Sequence, residues 1–271
     1  MNQYTVDVAA LELAYRTSDG DGRKIVFIHG NSSSSATWTP LLEGQFGRRF
    51  RCYALDLPGH GKSRPRPDPA DYSIPGYAST VAAFVRKLGL DDAVLVGWSL
   101  GGHIALEAAE QLPAVAGVVI FGAPPVASPA GMAEAFLPNP AMNVGFSAEV
   151  GPKDALAYAT SFLAPGSTLS PELFTADILA TDGAARAGLM ASIGEGRVAD
   201  EVAIATALPQ PLAILQGESE QLVSLDYLRT LAFPTLWRGS VQVIAGAGHA
   251  PHRETPEQFE NLLTEFVADL P

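Results

Sequence analysis

Residues 97–101 read Gly-Trp-Ser-Leu-Gly, a G-x-S-x-G pentapeptide centred on Ser99. Val94, Leu95 and Val96 before it are of buried-strand type, and an alanine-rich helical pattern runs from Leu100 to Gln111 after it. A serine held at a tight strand-to-helix turn has a strained backbone. The positions two before and two after it approach each other, and side chains there would clash, so both are glycine. The turn aims the hydroxyl into the crevice beyond the strand's carboxyl end, where open α/β sheets bind ligands. The helix beginning at Leu100 turns its first N–H groups toward any negative charge developing there. A glycine-rich turn of this kind can be purely structural, but the strand before and the helix after favour a displayed nucleophile.

A serine at neutral pH needs a base. The chain has five histidines. His29 in "IHGN" and His60 in "LPGHGKS" follow strands and read as loop braces. His103, in the first turn after Ser99, reads as facing packing or a loop. His249 and His252 fall in "GAGHAPHRETPEQF", between the last strand and the last helix. His249 follows the glycine-flexed strand end directly and is the expected base, with His252 expected at the loop or rim.

The base needs an orienting carboxylate from a strand end lying between serine and histidine in sequence. "LQGESEQLV" offers Glu218 and Glu220. Glu220, three residues past Gly217, is best placed to turn back toward the crevice. Glu218 and Asp226 remain rivals. A carboxylate on the second ring nitrogen fixes the tautomer and stabilises imidazolium. Serine, acid and histidine in this chain order form a strong constellation. For an oxyanion, the donors expected are the N–H of Leu100 and the backbone N–H of Asn31 in "HGN"; the Asn31 side chain is a further candidate for the same pocket, although asparagine in a turn is ordinarily structural.

The elements that must position these groups alternate. "KIVFIHG", "FRCYALDLPG", "AVLVGWS", "VAGVVIFGAP", "PLAILQGE" and "SVQVIAGAG" read as buried strands. Helical spacing marks 77–88, 100–111 and 256–270. "VDVAALELAY" reads as an antiparallel edge strand turning at "SDGDG". This is the pattern of a mostly parallel sheet covered by helices. The alternation stops after "GAPPV" and resumes at "PLAILQGE". The division expected is core over 1–126, an inserted helical cap over 127–208, and core again over 209–271. In the cap, Phe136, Leu137, Met142, Phe146, Phe162 and Met190 are candidates to line an apolar tunnel, although plain cap core would account for at least half of them. Trp98 walls the pocket or packs under it.

Length and composition fit this reading. With 271 residues, 47% of them hydrophobic, the chain can build one large core with an insertion. Seventeen basic against twenty-nine acidic residues leave a net charge of −12. Such a surface disfavours nucleic acid and anionic membranes and points to a neutral or cationic small-molecule partner. Cys52 is the only cysteine, so no internal disulfide forms. No uninterrupted apolar run reaches 18 residues and the first residues lack a signal-peptide pattern, so the expectation is a cytoplasmic protein. Neither metal nor cofactor is expected: there is no H-x-H-x-D-H run, and five scattered histidines make no dinuclear site.

"FIHGNSSS", "DLPGHGKS", "GWSLGG", "GESEQLV" and "GAGHAPHRE" occur in the order and spacing of the α/β-hydrolase superfamily, and the chain resembles that superfamily over nearly its whole length. The serine at the elbow separates it from dehalogenase and epoxide hydrolase relatives, which carry aspartate there. "HGNSSS", "YSIPGYA", "GWSLGGHI", "PPVA", "TDGAAR" and "GHAPHRE" also look like the metal-independent N-acyl-homoserine lactonases of this fold. That resemblance implies glutamate as the triad acid, to which Glu220 corresponds, and a substrate-contacting cap tyrosine, which falls on Tyr158. "FLAPGSTLS" and the run around Gly131 depart from the lactonase pattern. The function implied is opening of an acyl-homoserine lactone ring by Ser99, His249 and Glu220, or with Ser99 positioning a water. Two alternatives stand beside it: a general carboxylesterase, and a ligand receptor that keeps the fold and turns over slowly.

Overall fold

In the computed structural model, which describes residues 2–127 and 131–271, eight strands form one sheet. They are β1 (Asn2–Val8), β2 (Leu11–Thr17), β3 (Lys24–Ile28), β4 (Arg51–Leu55), β5 (Val94–Trp98), β6 (Gly117–Phe121), β7 (Leu212–Gly217) and β8 (Gln242–Ile244). Their order is β1-β2-β4-β3-β5-β6-β7-β8. β1, β2 and β4 pair antiparallel, and every pair from β4–β3 to β7–β8 is parallel. β5, β6 and β7 are buried along their whole length. Their continuous apolar runs reflect a sheet covered on both faces.

Among the described residues, seven α-helices have seven or more residues: α1 (Ile74–Lys87), α2 (Leu100–Gln111), α3 (Pro152–Ser161), α4 (Glu172–Ala180), α5 (Gly183–Gly194), α6 (Glu201–Ala207) and α7 (Pro256–Asp269). Helix α1 starts three residues before the spacing indicated. Ser73 caps it by accepting the Gly76 N–H, and Pro75 sits in the first turn, where its missing N–H costs nothing. Helices α3 to α6 all lie in the single connection from β6 to β7. They cover the carboxyl end of the sheet: the Phe162 ring, just after α3, meets Trp98 at the end of β5 edge-on at 5.5 Å.

Two sequence expectations are corrected here. "VDVAALELAY" is not one edge strand but the two arms of a hairpin. It turns at Ala9 and Ala10, both with positive φ (47° and 66°), a conformation that two alanines do not advertise. "SVQVIAGAG" shrinks to three strand residues, with Val243 41% exposed, because β8 is an edge strand paired only to β7.

Candidate active site

Ser99 stands between β5 and α2 with φ 54° and ψ −123°. This is a strained position for a residue bearing a side chain. The glycines around it are sterically required. A Cβ on Gly97 would lie 2.1 Å from the Gly101 carbonyl oxygen, and one on Gly101 would lie 2.2 Å from that of Ile28. Leu100 and Gly101 open α2, so their N–H groups have no acceptor within the helix. The "HGN" loop after β3 presses against the serine: a Cβ on Gly30 would be 3.1 Å from Ser99 Cβ. That close approach brings Asn31, 8% exposed, beside the elbow.

The opposite wall comes from the ends of β7 and β8. These two loops touch through their backbones, since a Cβ on Gly217 would be 2.1 Å from the Gly248 carbonyl oxygen. His249 Nδ1 donates to Glu220 Oε2 at 2.9 Å, with both side chains 3% exposed. Glu220 Oε1 accepts the Leu222 N–H at 2.8 Å. The carboxylate is thus held at both oxygens, and the imidazole keeps Nε2 as its second, opposite nitrogen. The ring rests on Gly122, whose φ is +58°; a side chain there would meet the imidazole at 2.8 Å. The rival carboxylates lie elsewhere. Glu218 Oε2 accepts the Gly246 N–H, and Asp226 is 95% exposed beside Arg229.

The other histidines are structural. His29 donates from Nδ1 to the Gly30 carbonyl and accepts the Leu57 N–H at Nε2. His60 reaches the Pro58 carbonyl. Burial pushes both imidazoles down, to about 4 and about 3. His252, expected at the rim, is instead 3% exposed. It bonds Thr37 Oγ1 at 2.8 Å and packs against Trp38, Trp98 and Phe121. The short helix Pro251–Glu254 turns it inward, and burial drives its pKa well down. His103 faces Glu201 of the cap rather than a loop.

Among the aromatic candidates, Trp98 packs under the site. It is 1% exposed, and its indole N–H donates to the His249 carbonyl at 2.7 Å. It therefore offers no open face to a substrate. Phe162, 2% exposed, fills the layer between Trp98, Tyr158 and His249 and is likewise closed. Met190 is 50% exposed. Phe136 lies against the His103 ring, while Leu137, Met142 and Phe146 are half-buried. Tyr158 is 5% exposed. Its hydroxyl and the Asn31 amide flank Gly145, where a Cβ would be 2.6 Å from Tyr158 Oη and 3.1 Å from Asn31 Nδ2. Asn31 Nδ2 donates to the Gly145 carbonyl at 2.5 Å. Burial pushes the Tyr158 hydroxyl well up, so it stays protonated.

Three participants escaped the sequence reading. Gly145 ties the cap to Asn31. Phe174 closes the aromatic layer against Phe162 and Trp98. Glu254 secures the histidine loop to the cap, accepting the Gly248 N–H at 2.7 Å and the Ala164 N–H at 2.9 Å. Only Glu254 left a signal, as the last residue of "GHAPHRE".

A strand–serine–helix elbow facing a buried histidine–glutamate pair, on a mostly parallel sheet under a helical insertion, defines a class. The profile of the alpha/beta hydrolase family matches residues 25–262, and the chain belongs to that family. The chain is 37% identical to the N-acyl homoserine lactonase AidH, whose structure was solved in complex with N-butanoyl homoserine. The match covers 99% of this chain and 97% of that one, with a TM-score of 0.94. A variant of the same lactonase complexed with N-hexanoyl homoserine lactone aligns equally well, at 36% identity. The chain is also 33% identical to the pimeloyl-[acyl-carrier protein] methyl ester esterase of Methylococcus capsulatus, over 93% of this chain and 97% of that one. Among the described residues, no helix is long and apolar enough to cross a membrane, and no group of three or more His, Cys, Asp or Glu side chains is placed to hold a metal ion.

Proposed function

We propose that the protein is a serine hydrolase of ester bonds that opens the lactone ring of N-acyl-homoserine lactones. The observation that carries it is the strained Ser99 elbow set opposite the buried His249–Glu220 pair. His249 Nε2 takes the proton from Ser99 Oγ as the oxygen attacks the ring carbonyl. Glu220 stabilises the resulting imidazolium through Nδ1. The Leu100 and Asn31 N–H groups hold the oxyanion, each donor contributing ~3 kcal/mol. His249 then returns the proton to the leaving ring oxygen, and water, activated by the same imidazole, releases the ring-opened acyl-homoserine.

The preference for a lactone bearing an acylamide rests on the likeness to AidH over nearly the full chain and on a polar tip in the cap. Tyr158 Oη offers a donor to an amide or lactone oxygen beside an otherwise aromatic layer. A second reading, hydrolysis of a methyl ester on a long acyl chain, is favoured by the identity to the pimeloyl methyl ester esterase. The test is a pH-stat assay with N-hexanoyl-homoserine lactone, dimethyl pimelate and phenyl acetate, on wild type and Tyr158→Phe. Lactone turnover should lead, and the variant should lose about fivefold on the lactone alone, the scale of one hydrogen bond. Faster turnover of dimethyl pimelate, with no lactone opening, would overturn the assignment in favour of the second reading.

A further inference from the structure

The cap chain leaves the sheet after β6 and returns at Glu201, and one side chain closes this neck. The Glu201 N–H donates to the Val126 carbonyl at 3.0 Å, while the Val126 N–H donates to Glu201 Oε2 at 3.1 Å. The same carboxylate receives His103 Nδ1, 2.8 Å from both its oxygens. His103 lies in the first turn of α2, and its own N–H reaches back to the Ser99 carbonyl at 3.4 Å. Glu201 is 4% exposed and the His103 side chain 12%. The proposed chemistry does not use this second histidine–glutamate pair.

We propose that His103 and Glu201 are positioning residues that seat the neck of the cap on the helix carrying Ser99, and so align substrates that need the cap with the nucleophile. Burying an ion pair costs more desolvation than packing apolar side chains of the same volume. What such a pair supplies is direction: a charge-assisted bond shared by both carboxylate oxygens tolerates little sliding. Here it fixes where α6 begins relative to the first turn of α2. Rocking the cap about this neck would move Gly145 off Asn31 and Tyr158 away from the elbow.

The groups facing the pair are acidic. Glu107, one turn further along α2, is 6% exposed, and Glu110 follows it on the same helix. Asp200 precedes Glu201 at the start of α6. Tyr227 donates its hydroxyl to the Pro125 carbonyl, one residue before Val126, and the Phe136 ring lies 6.2 Å from that of His103. Burial, then the Glu201 carboxylate, push the Glu107 carboxyl up to about 7. Burial alone would lower His103, but the Glu201 and Glu107 carboxylates outweigh it and raise its pKa. Both groups therefore hold their protons better folded than unfolded, and the seating is intact on the acid side of neutrality. As pH rises through about 7, Glu107 ionises beside Glu201. The neck gains uncompensated negative charge and its seating weakens.

The inference rests on the reading above only in that Ser99 performs ester hydrolysis. Its test uses p-nitrophenyl acetate, which does not need the cap, and p-nitrophenyl decanoate, which does. His103→Ala and Glu201→Gln should each raise KM for the decanoate about tenfold, the scale of one charge-assisted hydrogen bond, while acetate kinetics stay within about twofold. His103→Gln, which can still donate to Glu201, should restore most of that loss. KM for the decanoate should rise above pH 7 in wild type, and Glu107→Gln should flatten that rise. Equal losses on both esters that follow a fall in melting temperature would overturn the proposal in favour of a purely structural pair. Unchanged decanoate KM in well-folded variants would overturn it outright. If Glu201→Gln fails to fold, the His103→Gln rescue and the Glu107→Gln pH profile decide. Failure of the serine-hydrolase reading would show separately, as undiminished acetate turnover in Ser99→Ala.

Discussion

Glu220→Gln isolates the charge of the proposed triad acid from its shape. Glu220 uses both oxygens, one on His249 Nδ1 at 2.9 Å and one on the Leu222 N–H at 2.8 Å. Glutamine has one acceptor to offer. If its carbonyl faces the imidazole, its NH2 group confronts the Leu222 N–H, donor against donor. If its carbonyl faces Leu222, its NH2 group donates to Nδ1 and moves the ring proton to Nε2, the nitrogen that must accept from Ser99. In both arrangements the imidazolium loses its anionic partner. A hydrogen bond to a charged group is worth ~1.5–3 kcal/mol, about 10- to 150-fold in rate. The wrong tautomer takes the loss toward about 10⁴. The expected result is a kcat lower by about 10² to 10⁴ on p-nitrophenyl acetate, with KM little changed because the volume is conserved. Stability should fall by ~1–3 kcal/mol for the unsatisfied buried donor, read from urea unfolding. Glu218→Gln is the control. Its carboxylate accepts only the Gly246 N–H in the loop after β8, and the change should leave kcat nearly unchanged. Retention of more than a tenth of wild-type activity by Glu220→Gln, or a larger loss in Glu218→Gln, would remove Glu220 from the proposed role.

Ser99→Gly should abolish turnover, by about 10⁶ for a triad nucleophile, yet raise the melting temperature by roughly 2–4 °C for each ~1 kcal/mol of relieved backbone strain; a lower melting temperature would mean the elbow is not strained. His252→Ala should cost ~2–4 kcal/mol of stability as a cavity opens among Trp38, Trp98 and Phe121, while the folded fraction keeps far more activity than His249→Ala. The reverse ranking of the two variants' activities would exchange their roles. Acid should destabilise the fold below pH 6.5: the unfolded chain takes up protons on His29, His60 and His252 there, whereas burial keeps the first two neutral in the folded state down to about 4 and about 3, and His252 too is held well below its ordinary value. Each such group costs up to ~1.4 kcal/mol per pH unit within its window. Equal urea midpoints at pH 7.5, 5.5 and 4.5 would refute this.

Much of the molecule was legible along the chain because its causes are local. The two glycines about Ser99 announce a close backbone approach, and in the structure a Cβ on Gly97 would lie only 2.1 Å from the Gly101 carbonyl oxygen. Helix α2 runs from Leu100 to Gln111 as its spacing indicated. The central strands show as continuous apolar runs because both faces are covered. Where the expectation slipped, the deciding force lay elsewhere in space. The Ala9–Ala10 turn is imposed by pairing of β1 with β2 over seven residues, not by turn chemistry. β8 is short because it has no outer neighbour. His252 reads as polar and loop-borne, yet the short helix Pro251–Glu254 carries it into the aromatic core.

The sequence by itself determined the sheet-and-helix alternation and the serine elbow. Each follows from backbone sterics or apolar periodicity within a few neighbouring residues. The tertiary structure decided which carboxylate meets which imidazole. Glu218 and Glu220 differ by two positions, and only closure of the Gly217 and Gly248 backbones shows that Glu220 reaches His249 while Glu218 turns to Gly246. It likewise decided that Trp98 lies beneath the site, and that His103 holds the neck of the cap through a residue 98 positions away. Such pairings depend on where distant segments come to rest, and no local pattern carries that information.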